Sequence, residues 1–508
     1  MTWTTAAGIV LRDLVPAADR RRWVAAGYCP GRDLFTLYAA HERADPHRPA
    51  VVTAAGALDR AALGRRARRL TGALAAAGHG AHDIVAVRVP NGVDAVVAEL
   101  AVAALGAVAL PVPSGRGHRD TASLLARSRA AALVTTDADA VRGLDLPYLR
   151  TVLAPDADGP AYAEAVASEA PARILVSSGS EDEPKMVAYS HDAMAGGRGN
   201  YAAALYAGTD PVRALLLVPL SSSYGSIGLV TLVARGGTLV LLDRFDPAAA
   251  LAAVTRHRPT HLLGVPTMLR RMADLPPSAD EDLSSLRTVV SSAAMLVPAT
   301  DAACRARFGC PVVNVYGSSD GVNCHTARGG AGVGRPDPAV AEIRLGADDE
   351  IQCRGPMTPL CYVGAPELDA RYRLPGGWVR TGDRGRVDPD GSLHVVERIR
   401  QVVIRGGYTI SPAEVELLLG AHPAVADVAC VPVPDADLGE RLCACVVPRP
   451  GAAPPELAEL TGFLAEVRGL EPRKLPEHLV VLDALPLGPT GKVCRRTLAG
   501  LAADRTAG

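Results

Sequence analysis

The sequence predicts an α/β fold: a large N-terminal domain of two α/β layers with a small β-rich subdomain, followed by a separate α+β C-terminal domain. Three observations carry this. From Asp33 to about Thr136 short apolar runs alternate with helix-period stretches, and the same pattern returns from Ala214 to Val315. After about Val340 the chain changes to short alternating strands separated by Gly, Pro and Asp turns. At 508 residues it is also too long for one core, so residues 1–398 and 399–508 are assigned to two domains.

The elements follow in order. A helix begins near Asp59, with Leu63, Ala67, Leu70 and Leu74 on one face, so Arg65, Arg66, Arg68 and Arg69 fall on a solvated face. Ile84 to Val89 is a strand, a helix follows Pro90-Asn91, and Val108 to Val112 is a short strand after Gly106. In the second run Ala214 to Val218 and Thr238 to Leu242 read as strands around a helix that starts after Tyr224. In the β-rich part, strands are expected at Ala341 to Leu345, Glu350 to Arg354, Trp378 to Thr381 and Leu393 to Val396. Beyond Gly406-Gly407 a helix is well marked: Ser411 as N-cap, Pro412 in the first turn, Glu414 completing a capping box, Gly420 at the end.

Composition excludes several function classes. A net charge of -1 offers no general attraction to nucleic acid or to a membrane surface. No apolar run reaches membrane-spanning length, the best being Ile227 to Ala234, and no leader pattern opens the chain. The ten cysteines are scattered without metal-ligand spacing; Cys443 and Cys445 share one strand face, as packing residues do. A reducing cytoplasm is expected.

Lysine usage points to the chemistry. Of 53 basic residues only Lys185, Lys474 and Lys492 are lysines. A lysine kept in so arginine-rich a chain marks a place where a compact ammonium serves and a planar fork does not. Lys185 closes the loop Ser177-Ser178-Gly179-Ser180-Glu181-Asp182-Glu183-Pro184-Lys185, whose hydroxyls, Gly-containing turn and ammonium suit a polyphosphate. Three further polar islands interrupt apolar strands. Tyr316-Gly317-Ser318-Ser319-Asp320-Gly321 follows a buried-type strand, so Tyr316 can stack on a base, Ser319 donate to a phosphate and Asp320 hold magnesium. Thr381-Gly382-Asp383 places a carboxylate at a strand end, and Thr490-Gly491-Lys492 places a lysine on a Gly/Pro-rich turn. Taken singly, each island reads equally well as a surface turn.

Their order and spacing together resemble the adenylate-forming superfamily: acyl-CoA and aryl-CoA synthetases, stand-alone aryl-acid AMP ligases and peptide-synthetase adenylation domains. The likeness runs from about Arg22 to Leu498. It includes Pro90-Asn91, Gly106-Ala107, Pro111, the Ser177 to Lys185 loop, Val265-Pro266, the Tyr316 island, Gly334-Arg335-Pro336, Thr381-Gly382-Asp383, Arg398, Gly439-Glu440, Lys474-Leu475-Pro476 and Gly491-Lys492. The resemblance implies ATP and a small-molecule carboxylic acid as substrates and Mg2+ as cofactor. The acyl-AMP product would pass to a pantetheine thiol of CoA or an acyl carrier protein.

It also implies residue roles. Ser177, Ser178, Gly179, Ser180 and Lys185 hold the β- and γ-phosphates. Tyr316 and Gly317 flank adenine, Ser319 contacts the α-phosphate and Asp320 is the metal position. Asp383 grips ribose, Arg398 reaches ribose or phosphate, and Lys492 bridges α-phosphate and carboxylate. The C-terminal domain becomes a mobile lid hinged at Arg400, with Gly407 where pantetheine passes. Ser222, Ser223, Tyr224, Ser292 and Ala293 line the acid pocket.

Four positions depart from the family pattern. Ser180-Glu181-Asp182 stands where Thr-Thr-Gly is usual, Met186 where glycine follows the loop lysine, Ser319-Asp320 where Thr-Glu is common, and Arg400 where the hinge is Asp or Lys. Ser222 and Ser223 stand where aryl-acid ligases carry His and Asn for an ortho-hydroxyl. This disfavours salicylate and 2,3-dihydroxybenzoate, and Ser223 also lacks the carboxylate that would pair an amino acid's ammonium. The small side chains suggest a bulky aryl or alicyclic acid. Adenylation used for another purpose, such as amide formation or nitrite activation, is the alternative; a non-catalytic nucleotide-binding protein is the third reading.

Overall fold

The computed structural model of the chain describes residues 1–177, 184–294, 296–321, 323–324, 332–399, 402–406, 408–488 and 492–506. Two large sheets lie either side of a shared helical layer. The first sheet runs Cys361–Tyr362, Met186–Ser190, Pro171–Val176, Val108–Pro111, Ile84–Arg88, Ala132–Thr135, Thr151–Leu153. The second runs Asn323–Cys324, Val312–Gly317, Thr288–Ser292, His261–Gly264, Arg213–Leu216, Thr238–Leu241, Pro49–Thr53, Gly56–Asp59. Helix Val93–Ala104 is buried on every face from Ala95 to Ala104, as a helix covered on both sides must be, and its one buried charge, Glu99, is paired with Arg173. Its core cluster joins Val85, Leu175 and Val187 of the first sheet to Leu216, Leu239 and Leu263 of the second.

Strand order departs from strict sequence order. Pro49–Thr53 comes from the first run yet pairs in parallel with Thr238–Leu241 of the second sheet. Gly56–Asp59 folds back on it as an antiparallel edge. Asp59 then caps helix Arg60–Ala76, its carboxylate accepting from the Ala62 amide at 2.7 Å.

The β-rich subdomain is a sheet of Glu342–Leu345, Glu350–Arg354, Trp378–Val387 and Arg373–Leu374, with Leu393–Arg398 paired to Trp378–Val387. The smaller C-terminal sheet contains Tyr408–Ile410, Val403–Arg405, Gly439–Pro448 and Val425–Asp435, with His478–Val481 beside Gly439–Pro448. Its helix Pro412–Leu419 ends tightly against the larger domain: a Cβ at Gly420 would lie 3.0 Å from Val297 Cγ1.

Three local expectations need correction. Ser411 accepts from the Glu414 amide as an N-cap, but the Glu414 carboxylate accepts from Lys474 Nζ at 2.8 and 3.0 Å instead of closing a capping box. A full ammonium outcompetes a neutral backbone N–H for that carboxylate. The arginine face of helix Arg60–Ala76 is paired rather than simply solvated: Arg68 binds Glu42 through both terminal nitrogens, Arg66 binds Asp94 and Arg69 binds Asp158. Trp378 begins a strand that continues to Val387, because a bulge lets it pass the turn at Gly382.

Among the described residues no helix is long and apolar enough to cross a membrane.

Candidate active site

The strands of the second sheet from Pro49–Thr53 to Val312–Gly317 run parallel, so their carboxyl ends share one edge. That edge carries the turn after Leu216, Ala293 after Thr288–Ser292, and Tyr316 at the end of Val312–Gly317. Open α/β sheets bind ligands in this crevice.

Asp383 forms the centre of the polar side. Opposite Ile351, the chain from Thr381 to Asp383 bulges out of the ladder, and Gly382 takes a φ of 74° that a side chain would strain. The Thr381 hydroxyl donates to the Ile351 carbonyl at 2.8 Å and accepts from the Asp383 amide at 3.0 Å, which locks the turn. The buried Asp383 carboxylate then accepts from Tyr316 Oη at 2.6 Å and from Arg398 Nε at 2.8 Å. Loss of water, followed by Asp383's charge, lifts the Tyr316 phenol well above its ordinary value, so it stays a donor.

Lys492 arrives from the C-terminal turn. It lies close enough to Arg398 and Asp383 to feel both charges, and loss of water followed by the Arg398 guanidinium pulls its ammonium down to about 8. The seam thus brings a carboxylate, a guanidinium and a softened ammonium together.

A second polar cluster sits where strands Pro171–Val176 and Met186–Ser190 turn back on each other. The Ser177 amide donates to the Lys185 carbonyl and the Lys185 amide to Ser177 Oγ, both at 2.9 Å. Lys185 Nζ lies 3.9 Å from the Tyr372 ring centre, 5.8 Å from that of Tyr362, and 3.8 Å from Asp320 Oδ1. Tyr362 holds Asp320 in turn, its hydroxyl donating to Oδ1 at 2.6 Å. Tyr189 Oη donates to the Ser319 carbonyl at 3.1 Å and fixes the turn that carries Ser319 and Asp320.

The turn after Leu216 is built differently. Asn91 accepts from the Leu220 amide at 2.8 Å and donates to the Val218 carbonyl at 3.3 Å. Arg173, paired with Glu99, donates to the Leu220 carbonyl at 2.9 Å. Ser222 Oγ donates to the Pro219 carbonyl and accepts from the Gly225 amide, so its hydroxyl is consumed in the turn. Gly225 is required there, since a Cβ would lie 1.9 Å from the Pro219 carbonyl oxygen. Ser292 Oγ donates to the Val315 carbonyl at 3.1 Å and Tyr224 Oη to the Val290 carbonyl at 3.1 Å. Ala293 has a φ of 75°, a conformation non-glycine residues hold only when their surroundings impose it.

Residues 38–357 match the AMP-binding enzyme family and residues 414–492 the AMP-binding enzyme C-terminal domain. The chain belongs to the AMP-binding enzyme family. This AMP-binding enzyme is an adenylate-forming ligase. It is 32% identical to the salicyl-AMP ligase / salicyl-S-ArCP synthetase of Mycobacterium tuberculosis (strain ATCC 25618 / H37Rv), over 95% of this chain and 93% of that protein. To the 2-hydroxy-7-methoxy-5-methyl-1-naphthoate--CoA ligase of Streptomyces carzinostaticus it is 31% identical, over 97% and 98%. The solved amide bond synthetase McbA from Marinactinospora thermotolerans superposes with a TM-score of 0.79 at 32% identity, over 91% of this chain and 99% of that one.

In this AMP-binding enzyme the fold brings Tyr316, Asp383, Arg398 and Lys492 to one seam, and Ser177, Lys185, Ser319 and Asp320 to a second cluster. Ser178, Gly179, Ser180, Arg400 and Gly407 lie outside the described residues. Sequence reading missed Tyr189, Tyr362 and Tyr372. The signal was available: aromatic residues are 4% of the chain, and such scarcity makes each tyrosine informative, as it made each lysine.

Proposed function

We propose that the enzyme uses ATP to convert a carboxylic acid to its acyl-AMP, releasing pyrophosphate, and then passes the acyl group to a pantetheine thiol of CoA or of a carrier protein. The single observation that carries this is the seam, where Asp383 holds Tyr316 and Arg398 and Lys492 lies near enough to feel the charges of Asp383 and Arg398.

The residue roles follow from charge and position. Two anions, carboxylate and α-phosphate, must approach, so catalysis is positioning and charge neutralisation. Lys492 bridges the attacking carboxylate and the α-phosphate. Asp383 accepts from the ribose hydroxyls while Arg398 reaches ribose or phosphate, and Tyr316 lies against adenine beside Gly317. Lys185 leaves its aromatic seat for the β- and γ-phosphates, where Ser177, Ser178, Gly179 and Ser180 also donate. Asp320, one buried carboxylate beside that loop, is the residue that would hold a magnesium ion. Magnesium there would neutralise phosphate charge.

Residues 399–508 act as a lid turning at Arg400 between the two half-reactions, with thiol entry past Gly407. The acid lies against Ser222, Ser223, Tyr224, Ser292 and Ala293. Likeness to an amide bond synthetase supports a second reading, in which an amine takes the acyl group.

ATP–pyrophosphate exchange with magnesium across aryl, alicyclic and fatty acids, without thiol, tests the first step. Exchange with one acid class is expected, and silence with all of them overturns the proposal. Adding CoA, a phosphopantetheinylated carrier or an amine then separates the acceptors.

A further inference from the structure

Arg198 ends the helical stretch Ala193–Arg198 and is 4% exposed. Nη1 donates to the Ser223 carbonyl at 3.3 Å and to Ser226 Oγ at 3.0 Å. The guanidinium lies 5.1 Å from the centre of the Tyr189 ring. Nε and Nη2 make no hydrogen bond of normal geometry, the Tyr189 hydroxyl being the polar group beside the guanidinium, and among the described residues no carboxylate pairs with this cation.

Arg173, equally buried, shows the usual solution: Glu99 accepts from Nε at 2.7 Å and from Nη2 at 3.0 Å. A buried guanidinium without a counter-charge gives up its hydration for little in return, so the ligand-free protein is less stable for carrying it. Such a cost is retained where a ligand completes the pair.

Location says which ligand. On one side Arg198 touches Ser223 and Ser226, which belong to the turn after Leu216 and the helix Ser226–Arg235 that follows it. On the other it covers Tyr189, whose hydroxyl holds the Ser319 carbonyl. It therefore stands between the acid pocket and the turn beside the reacting phosphate.

We propose that Arg198 is a specificity-determining residue that binds a second anionic oxygen, a carboxylate or an ionised phenol, on the acid being activated. This rests on the adenylation reading above. It also gives the pocket a charged donor, where Ser222 and Ser292 have spent their hydroxyls on backbone carbonyls.

The test is ATP–pyrophosphate exchange with benzoate against hydroxybenzoates and benzenedicarboxylates, in the wild type, Arg198→Met and Arg198→Lys. The wild type should favour one of the substituted acids over benzoate by about 10–10²-fold in kcat/KM, the range of one or two charge-assisted hydrogen bonds. Arg198→Met should bring that ratio toward 1 through KM, and Arg198→Lys should keep part of it. Without acid, Arg198→Met should melt no lower than the wild type, and the rise in Tm caused by the preferred acid should disappear. A preference for benzoate, an unchanged ratio in Arg198→Met, or a variant that melts lower or fails to fold would make Arg198 a structural strut and overturn the proposal. Absence of exchange by the wild type with every acid defeats the adenylation reading itself, whereas strong exchange with benzoate defeats only this one.

Discussion

The sides of the crevice proposed for the nucleotide and for the acid meet the same problem, polar groups held out of water, with opposite solutions. On the nucleotide side charges are paired with charges before any ligand arrives: Asp383 holds Tyr316 and Arg398, and Lys492 sits within reach of both charges. On the acid side hydroxyls are spent on backbone carbonyls, and one guanidinium, Arg198, keeps two nitrogens without a hydrogen bond of normal geometry. The contrast teaches that the Asp383 seam is electrostatically complete without a ligand while Arg198 is not, which is why the choice of acid is proposed to fall on that one residue.

The comparison breaks most visibly at Lys492. Lys492→Ala should lower acyl-AMP formation by about 10²–10³-fold or more, the scale of losing one well-placed donor to developing charge, while ATP binding by calorimetry changes little. Equal loss of ATP affinity would mean the ammonium serves binding alone. Asp383→Asn keeps shape but removes the negative centre, leaving Arg398 and Lys492 to repel each other. About 10–10²-fold in kcat/KM for ATP should be lost, readable by exchange kinetics.

A smaller effect sharpens the same point through pH. With the Lys492 ammonium at about 8 in the free protein, kcat/KM should fall about tenfold per unit above that pH, and Lys492→Arg should remove this limb. Stability moves the other way. Between about 8 and its ordinary 10.5 the folded lysine has shed a proton that the unfolded chain still binds, so wild-type stability gains over Lys492→Met as pH rises through that window. Chemical denaturation at several pH values reads this directly. The smallest effect belongs to Lys474, whose pairing with Glu414 is partly exposed: Lys474→Ala should cost about 0.2–1 kcal/mol of stability and leave exchange intact.

Much of this was legible without coordinates. The alternation around Ile84–Arg88 and Val108–Pro111, the helix start near Asp59, the N-cap Ser411 and the glycine turn at Gly382 depend on neighbours a few residues away. Lysine scarcity marked Lys185 and Lys492, but it marked Lys474 in the same way. Only its seat on Glu414 shows that this third lysine braces a helix of the smaller domain.

By itself, then, the chain determined its two α/β layers, its β-rich subdomain and the strand ends on which the polar islands sit, because periodicity and turn chemistry are short-range. Tertiary structure decided what those residues meet. Pro49–Thr53 crosses to the second sheet, Tyr362 reaches Asp320, Lys492 reaches the Asp383 seam, and Arg198 is buried with no carboxylate beside it among the described residues. Pairing and its absence depend on distance in space, and no local pattern encodes which distant side chain fills, or leaves empty, a position next to a buried charge.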